Sequence, residues 1–441
     1  MRFLKWTGGF LVALIVAAYG YLLAAPPELL RVGTGYSAKT ICSNVFLAGR
    51  KAEDVLKVDV QAPGHPILKL VRVSVDESAG EVRTWLVGGI APSHAIDRAG
   101  YGCTLVPSGN RADVAELPEF LAQKVPPYVW REATNERLTK VLADAALTGP
   151  GMRAVVVVKN GAIIAENYAD GFTKDTPLLG WSMTKTVNAL LVGELVKAGK
   201  MDLAATSLFD SWKADTRAKI SLADLMAMES GLKWNEGYGD VSDVTRMLFL
   251  SADMKALPEG QPAEAAPKTA FTYSSGTSML IAELVEKALG NGAQTFAREA
   301  LFNPLGISSA TIEPDASGTM SGSSFMYATA RDWARLGQFM IAGGVANGQA
   351  LLPAGFTQMM MTPSAASNGR YGMGQIWIDD VDDQGKPNGM PKGSARFSGH
   401  DGQSVTIVPS ERLVIVRLGL TPSKLGWEPQ PLTQTVIKAL K

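Results

Sequence analysis

Ser182-Met183-Thr184-Lys185 opens a run from Thr186 to Val196 that is apolar on nearly every side and stops at Gly199. Continuous apolar character ended by a glycine describes a buried helix, with Ser182 at its N-terminus. Residues three apart share a helix face, so the Lys185 amine can lie beside the Ser182 hydroxyl. Burial and the positive end of the helix dipole both lower a lysine pKa, which lets a neutral amine accept the serine proton. The same helix end offers the Ser182 backbone N–H as one of the two donors an oxyanion needs. Spacing alone is not decisive, because a chain this long contains about one or two copies of Ser-x-x-Lys by chance. Ser230-Gly231-Leu232-Lys233 is such a copy. A glycine directly after the serine, with no apolar helix behind it, reads as a loop.

Outward from this element, Ala154–Val158 and Ala162–Ala165 flank Lys159-Asn160-Gly161, where Asn-Gly suits a tight turn between antiparallel strands. A second hairpin, Ser404–Val408 and Leu413–Leu418, turns at Pro409-Ser410-Glu411-Arg412 and leads into a helix from Pro431 to Leu440. A helical pattern from Glu136 to Leu147 precedes the first hairpin, while Thr186–Met361 between the hairpins reads as helix and loop. The expected fold is therefore α/β of the α+β kind: an antiparallel sheet flanked by terminal helices, with an inserted all-helical region. Ahead of it, Ile67–Val73 and Val82–Val87 read as strands of a small β-containing pre-domain. The expected organisation is an N-terminal segment over 1–27, a pre-domain over 28–125 and a hydrolase-like domain over 126–441.

Lys plus Arg equals Asp plus Glu at 42 each, so charge gives no reason to expect nucleic acid or a cationic partner. No obligate protein partner is evident either. Arg2 and Lys5 precede an apolar run from Gly8 to Ala25, closed by Pro26-Pro27, which reads as an export signal or membrane anchor. The run approaches the length of a bilayer span, so an uncleaved anchor over 8–25 is favoured, with a cleaved secreted form as the alternative. The flanking positive charges then place the rest of the chain outside the cytoplasm, on the periplasmic side. The two cysteines, Cys42 and Cys103, are expected to pair in that oxidising compartment. His65 and His94 are read as loop residues. Three scattered histidines without a His-Glu-x-x-His motif give no metal ligand set.

Two further elements support the first. Tyr273-Ser274-Ser275 comes just before an amphipathic helix carrying Leu280, Ile281, Leu284 and Val285, so a phenol and a hydroxyl can point into a cleft. Ser398-Gly399-His400-Asp401-Gly402-Gln403 enters the strand Val405–Val408, where a small residue lets substrate approach the strand edge. The three elements, in this order, resemble the serine β-lactamase and penicillin-binding-protein superfamily, in its class C-like branch. Within it the resemblance is to the group containing 6-aminohexanoate-dimer hydrolases and related esterases. Leu225–Leu232, Asn303–Ile307 and Ser323–Asp332 add to the likeness, which spans about Leu138 to Leu440.

The resemblance implies Ser182 as nucleophile, Lys185 as its base and Tyr273 as the group that passes the proton to the leaving group. It implies that Ser275, where many relatives carry Asn, bonds the Lys185 amine or the substrate amide. His400 replaces the Lys of the Lys-Thr-Gly element and Asp401 its Thr, which argues against efficient β-lactam recognition. Gln403 would give the second oxyanion N–H, and Tyr238 resembles the mobile-loop, substrate-binding tyrosine of the amide hydrolases, with a plain loop aromatic as the alternative. Trp377 is read as a core residue, with a pocket position as the alternative. The expected activity is hydrolysis of a small amide or ester through an acyl-enzyme, without cofactor or metal. The alternatives are a D-alanyl-D-alanine carboxypeptidase, a weak class C-like β-lactamase, or a binding module on the same fold. A Ser-His-Asp enzyme would need a nucleophile elbow, Gly-x-Ser-x-Gly, which the sequence lacks.

Overall fold

A computed structural model describes residues 2–62, 64–120, 125–290 and 292–441. It divides into two compact units: one of residues 1–98, 103–115 and 237–252, the other of 99–102, 116–236 and 253–441. The expected boundary near 125 closely follows 121–124, which lie outside the described residues.

In the first unit, α1 (Arg2–Ala24) leads through Pro26-Pro27 to α2 (Glu28–Phe46). A four-stranded sheet follows in sequential order: β1 (Val71–Asp76), β2 (Glu81–Leu86), β3 (Ile90–Arg98) and β4 (Gly102–Leu105). The strand expected from Ile67 begins only at Val71, because Pro66 opens a 3-10 turn over Pro66–Leu70. Helix α2 lies against this sheet; the Thr84 hydroxyl donates to the Thr34 carbonyl at 2.7 Å. The buried Lys39 donates to the Cys103 carbonyl at 2.8 Å, and a disulfide joins Cys42 to Cys103. The helix Asp243–Leu250 joins the same unit: Gly35 of α2 gives close access to the Phe249 carbonyl, and Arg246 pairs with Glu28 at 2.8 Å. His94, expected in a loop, is buried on β3 with Glu81 3.4 Å away. Among the described residues no single helix is long and apolar enough to cross a membrane; Gly9–Ala24 and Glu28–Phe46 pass that test only as a pair bent by 52°.

The second unit is built on a seven-stranded sheet. In chain order its strands are β5 (Arg131–Glu132), β6 (Met152–Lys159), β7 (Ala162–Tyr168), β8 (Trp377–Ile378), β9 (Ala395–Gly399), β10 (Gln403–Val408) and β11 (Leu413–Gly419). Across the sheet they run β8-β9-β10-β11-β6-β7-β5, antiparallel except for β5 beside β7. The β6–β7 turn has both Asn160 and Gly161 at positive φ, 51° and 74°, as a two-residue hairpin of this twist requires.

Strand β6 is buried on both faces, which explains its unbroken run of valines. Ala154, Val156 and Val158 join a core with α4 (Met183–Lys197) and α6 (Ala330–Ile341), whereas Val155 and Val157 join Leu138, Leu142, Leu432 and Val436. The latter four lie on α3 (Glu136–Ala143) and α7 (Gln430–Ala439), the terminal helices of the opposite face. The helix expected over Glu136–Leu147 breaks at Asp144, whose side chain caps a new turn over Ala145–Thr148. Between the two hairpins, α4, α5 (Ser275–Leu289) and α6 dominate.

Candidate active site

The turn before α4 is held from several sides. The Gly180 N–H donates to the Met326 carbonyl at 2.9 Å, and the Thr184 hydroxyl donates to the Trp181 carbonyl at 2.7 Å. Trp181 lies in the left-handed region at φ 49°, a conformation that costs a non-glycine residue energy and persists only where its surroundings impose it. Ser182 follows as the residue capping α4, half-buried and therefore reachable, while Lys185 one turn on is fully buried.

The sides of α4 and α5 meet, and the Asn188 amide donates to the Ser278 carbonyl at 3.0 Å. This contact brings Lys185 to the start of α5. Its Nζ lies 2.8 Å from Ser182 Oγ, 2.9 Å from Ser275 Oγ and 3.0 Å from the Ser323 carbonyl. Burial pulls the lysine pKa down to about 8, against the opposing pull of the Glu236 carboxylate. Glu236 accepts from the Ser275 hydroxyl at 2.5 Å, from the Ser275 N–H at 2.8 Å and from Trp234 Nε1 at 2.6 Å. Sequence reasoning passed over Glu236; the only signal was an acidic residue in the loop already singled out for Tyr238.

Tyr273 lies beside both groups, its ring centroid 5.0 Å from Lys185 Nζ. Burial, with the nearby Glu236 charge, pushes its phenol well above the usual range, against a hydrogen bond with Ser182. Trp377, expected in the core, is only half-buried and lies 5.3 Å from Tyr273, ring to ring. It sits on β8, the last strand of the sheet on that side, whose outer edge meets the 370–372 segment through a bridge between Trp377 and Tyr371. Tyr371 stands edge-on to both rings.

The opposite wall is the end of β9. A Cβ on Gly399 would lie 2.1 Å from the Gly180 carbonyl, so only glycine lets this strand come so close to the Ser182 turn. The His400 ring meets Trp181 edge-on at 5.7 Å, and His400 Nε2 lies 3.4 Å from Asp401 Oδ1. Gln403 begins β10, where its side-chain amide accepts from the Gly419 N–H and donates to the Gly419 and Asp401 carbonyls. The buried Arg417 fixes the intervening turn through the Gly402 carbonyl, together with those of Thr148 and Pro150. Ser182, Lys185, Tyr273, Ser275, His400 and Gln403 all belong to one compact unit, whereas Tyr238 belongs to the other. At the duplicate motif, Gly231 has φ 75° and Ser230 Oγ accepts from the Leu232 N–H, a loop as expected.

The family described as Beta-lactamase matches residues 142–421. A 6-aminohexanoate-dimer hydrolase of Paenarthrobacter ureafaciens is 25% identical over 307 residues, covering 65% of this chain and 75% of that protein. Among solved structures, a penicillin binding protein from Bacillus halodurans aligns with TM-score 0.54 at 17% identity, over 69% of this chain and all of that one. A penicillin-binding protein homolog from Caulobacter crescentus aligns with TM-score 0.54 at 15% identity, over 70% and 98%. At these identities the two structural likenesses speak to the fold alone.

Proposed function

We propose that this chain, which belongs to the Beta-lactamase family and is a serine hydrolase, cleaves a linear amide or ester through an acyl-enzyme on Ser182. The observation that carries the reading is the 2.8 Å contact between Ser182 Oγ and a fully buried lysine whose pKa lies near 8. Neutral Lys185 takes the Ser182 proton as the serine oxygen attacks the carbonyl carbon. The negative charge that gathers on the carbonyl oxygen is met by the backbone N–H groups of Ser182 and Gln403. Tyr273, kept protonated by burial, donates its proton to the departing nitrogen or oxygen and is reprotonated from Lys185. Water then attacks the acyl carbon, with the same groups returning Ser182 to its resting state.

The third element favours a substrate without a carboxylate at that position. A lysine there would offer a fixed positive charge; here Asp401 sets a carboxylate beside His400. The relative that hydrolyses an aminohexanoate dimer supports linear amides over β-lactams. A D-alanyl-D-alanine carboxypeptidase or weak β-lactamase is the competing activity. Labelling with a fluorophosphonate and with a penicillin, read by intact mass against Ser182→Ala, separates the readings. An adduct with the phosphonate alone is expected; an adduct on Ser182→Ala assigns the nucleophile elsewhere and none on wild type favours a binding module, and either overturns the mechanism. A long-lived penicilloyl adduct transfers the reading to cell-wall substrates.

The apolar N-terminal helix supports the proposed membrane address, and Arg2 and Lys5 ahead of its apolar run favour the periplasmic side for the rest of the chain. Phe10, Leu11, Val12, Leu14, Ile15 and Val16 are each more than half exposed on α1. Apolar side chains on every face of a helix find their natural surroundings in lipid.

A further inference from the structure

We propose that Glu236 is a positioning residue of this site: by holding the Ser275 hydroxyl, it turns the lone pair of Lys185 toward Ser182. The inference rests on the reading of Ser182 and Lys185 as nucleophile and base.

Hydrogen-bond accounting carries it. An ionised carboxylate only accepts, so the single hydroxyl hydrogen of Ser275 is committed to Glu236 Oε1 at 2.5 Å. Ser275 Oγ can then only accept from Lys185, at 2.9 Å. The Ser323 carbonyl also only accepts, at 3.0 Å. A neutral amine has two N–H groups and one lone pair, and both N–H groups are now spent. Its remaining hydrogen-bond partner is Ser182 Oγ at 2.8 Å, which therefore meets the lone pair and donates to it, with the protonated Tyr273 phenol as the donor in its own bond with Ser182. That is the polarity deprotonation requires: the O–H bond of Ser182 breaks, its proton forms the third N–H of Lys185, and the electron pair stays on the serine oxygen.

Without the carboxylate, the Ser275 hydroxyl is free to donate to Lys185. The lone pair is then spent on Ser275, and Ser182 receives an N–H instead of giving up its proton. Glu236 is itself fixed by the Ser275 N–H at 2.8 Å and Trp234 Nε1 at 2.6 Å, so its orientation does not depend on Lys185. Its charge also favours the ammonium that follows proton transfer.

The test measures the fluorophosphonate labelling rate of the full chain against pH for wild type, Glu236→Gln, Ser275→Ala and the double variant. Glu236→Gln puts an amide N–H where the hydroxyl must donate; the plateau rate is expected to fall at least about tenfold. Loss of the negative charge is expected to move the acid limb down by roughly one pH unit, which a merely structural role would not do. Ser275→Ala removes the relay and should lower the plateau similarly, with Glu236→Gln adding less than about twofold in that background. A Glu236→Gln plateau within about twofold of wild type with an unmoved limb, or full additivity of the two substitutions, overturns the proposal. If Glu236→Gln does not fold, Ser275→Ala decides alone: labelling within about twofold of wild type overturns it. Wild type that fails to label, or Ser182→Ala that labels equally, sinks the underlying reading and this proposal with it.

Discussion

The sharpest consequence of the buried Lys185 is a pH profile. Its pKa falls from 10.5 to about 8, and only the neutral amine can take the Ser182 proton. The neutral fraction is then about 1% at pH 6, about 9% at pH 7, about 50% at pH 8 and about 90% at pH 9. Acylation should therefore rise nearly tenfold per unit up to about pH 7, bend near pH 8 and level off above about pH 9. An ordinary lysine would leave the rate climbing tenfold per unit past about pH 9. Tyr273 does not distort this limb, since burial keeps its phenol protonated throughout the range. The assay is the second-order labelling rate of a fluorophosphonate, corrected for its own hydrolysis, which isolates acylation from the later attack of water. A rate flat between about pH 6 and 9, or one still climbing steeply beyond about pH 9.5, refutes the assignment of Lys185 as a desolvated base.

Gly399 and the disulfide give two further tests. At Gly399 the backbone has φ −127°, which alanine adopts freely, so Gly399→Ala is purely a steric insertion 2.1 Å from the Gly180 carbonyl. Displacing the Ser182 turn should lower labelling at least about tenfold while costing about 1–3 kcal/mol of stability; labelling at the wild-type rate rules out close approach of β9. The Cys42–Cys103 link closes a separation of 61 residues, worth about 4 kcal/mol by chain entropy. Reductant should lower the melting transition of the N-terminal unit and leave fluorophosphonate labelling intact; an unchanged transition in alkylated, fully reduced protein contradicts this.

What could be read along the chain was what depends on near neighbours. The Asn160-Gly161 turn and the flanking valines specify a hairpin because turn chemistry and period are local signals. Ser182 and Lys185 are one helical turn apart, so the helix itself places them together. Tyr273 and Ser275 were legible because they stand at the start of α5. Glu236 was not: it meets Ser275 across 39 positions, from a loop with no periodic pattern. Trp377 looked like core because aromatic residues usually are, yet its place on an edge strand leaves one face toward Tyr273. Helix α2 escaped notice for a different reason. It buries Thr34, Ser37, Lys39, Thr40, Ser43 and Asn44, so polar residues that read as surface are inside, satisfied by backbone carbonyls such as those of Gly33, Thr40 and Cys103.

The charges around Ser182 bear on the proposed substrate. Among the described residues, Lys185, Glu236 and Asp401 are titratable groups of the candidate site. The Lys185 amine has its hydrogen-bond contacts already taken, by Ser182, Ser275 and Ser323. Glu236 is committed to Ser275 and Trp234, and Asp401 stands beside His400. A substrate carboxylate bound where β-lactamases hold one would bring a third negative group toward Asp401, without the permanently charged lysine that offsets it elsewhere. An uncharged chain on the acyl side meets no such cost. The half-buried rings of Tyr273 and Trp377 lie beside Lys185, backed by the buried Tyr371. The proposed preference for an uncharged amide or ester thus rests on Asp401 standing beside His400 where a Lys-Thr-Gly element would carry its lysine and threonine.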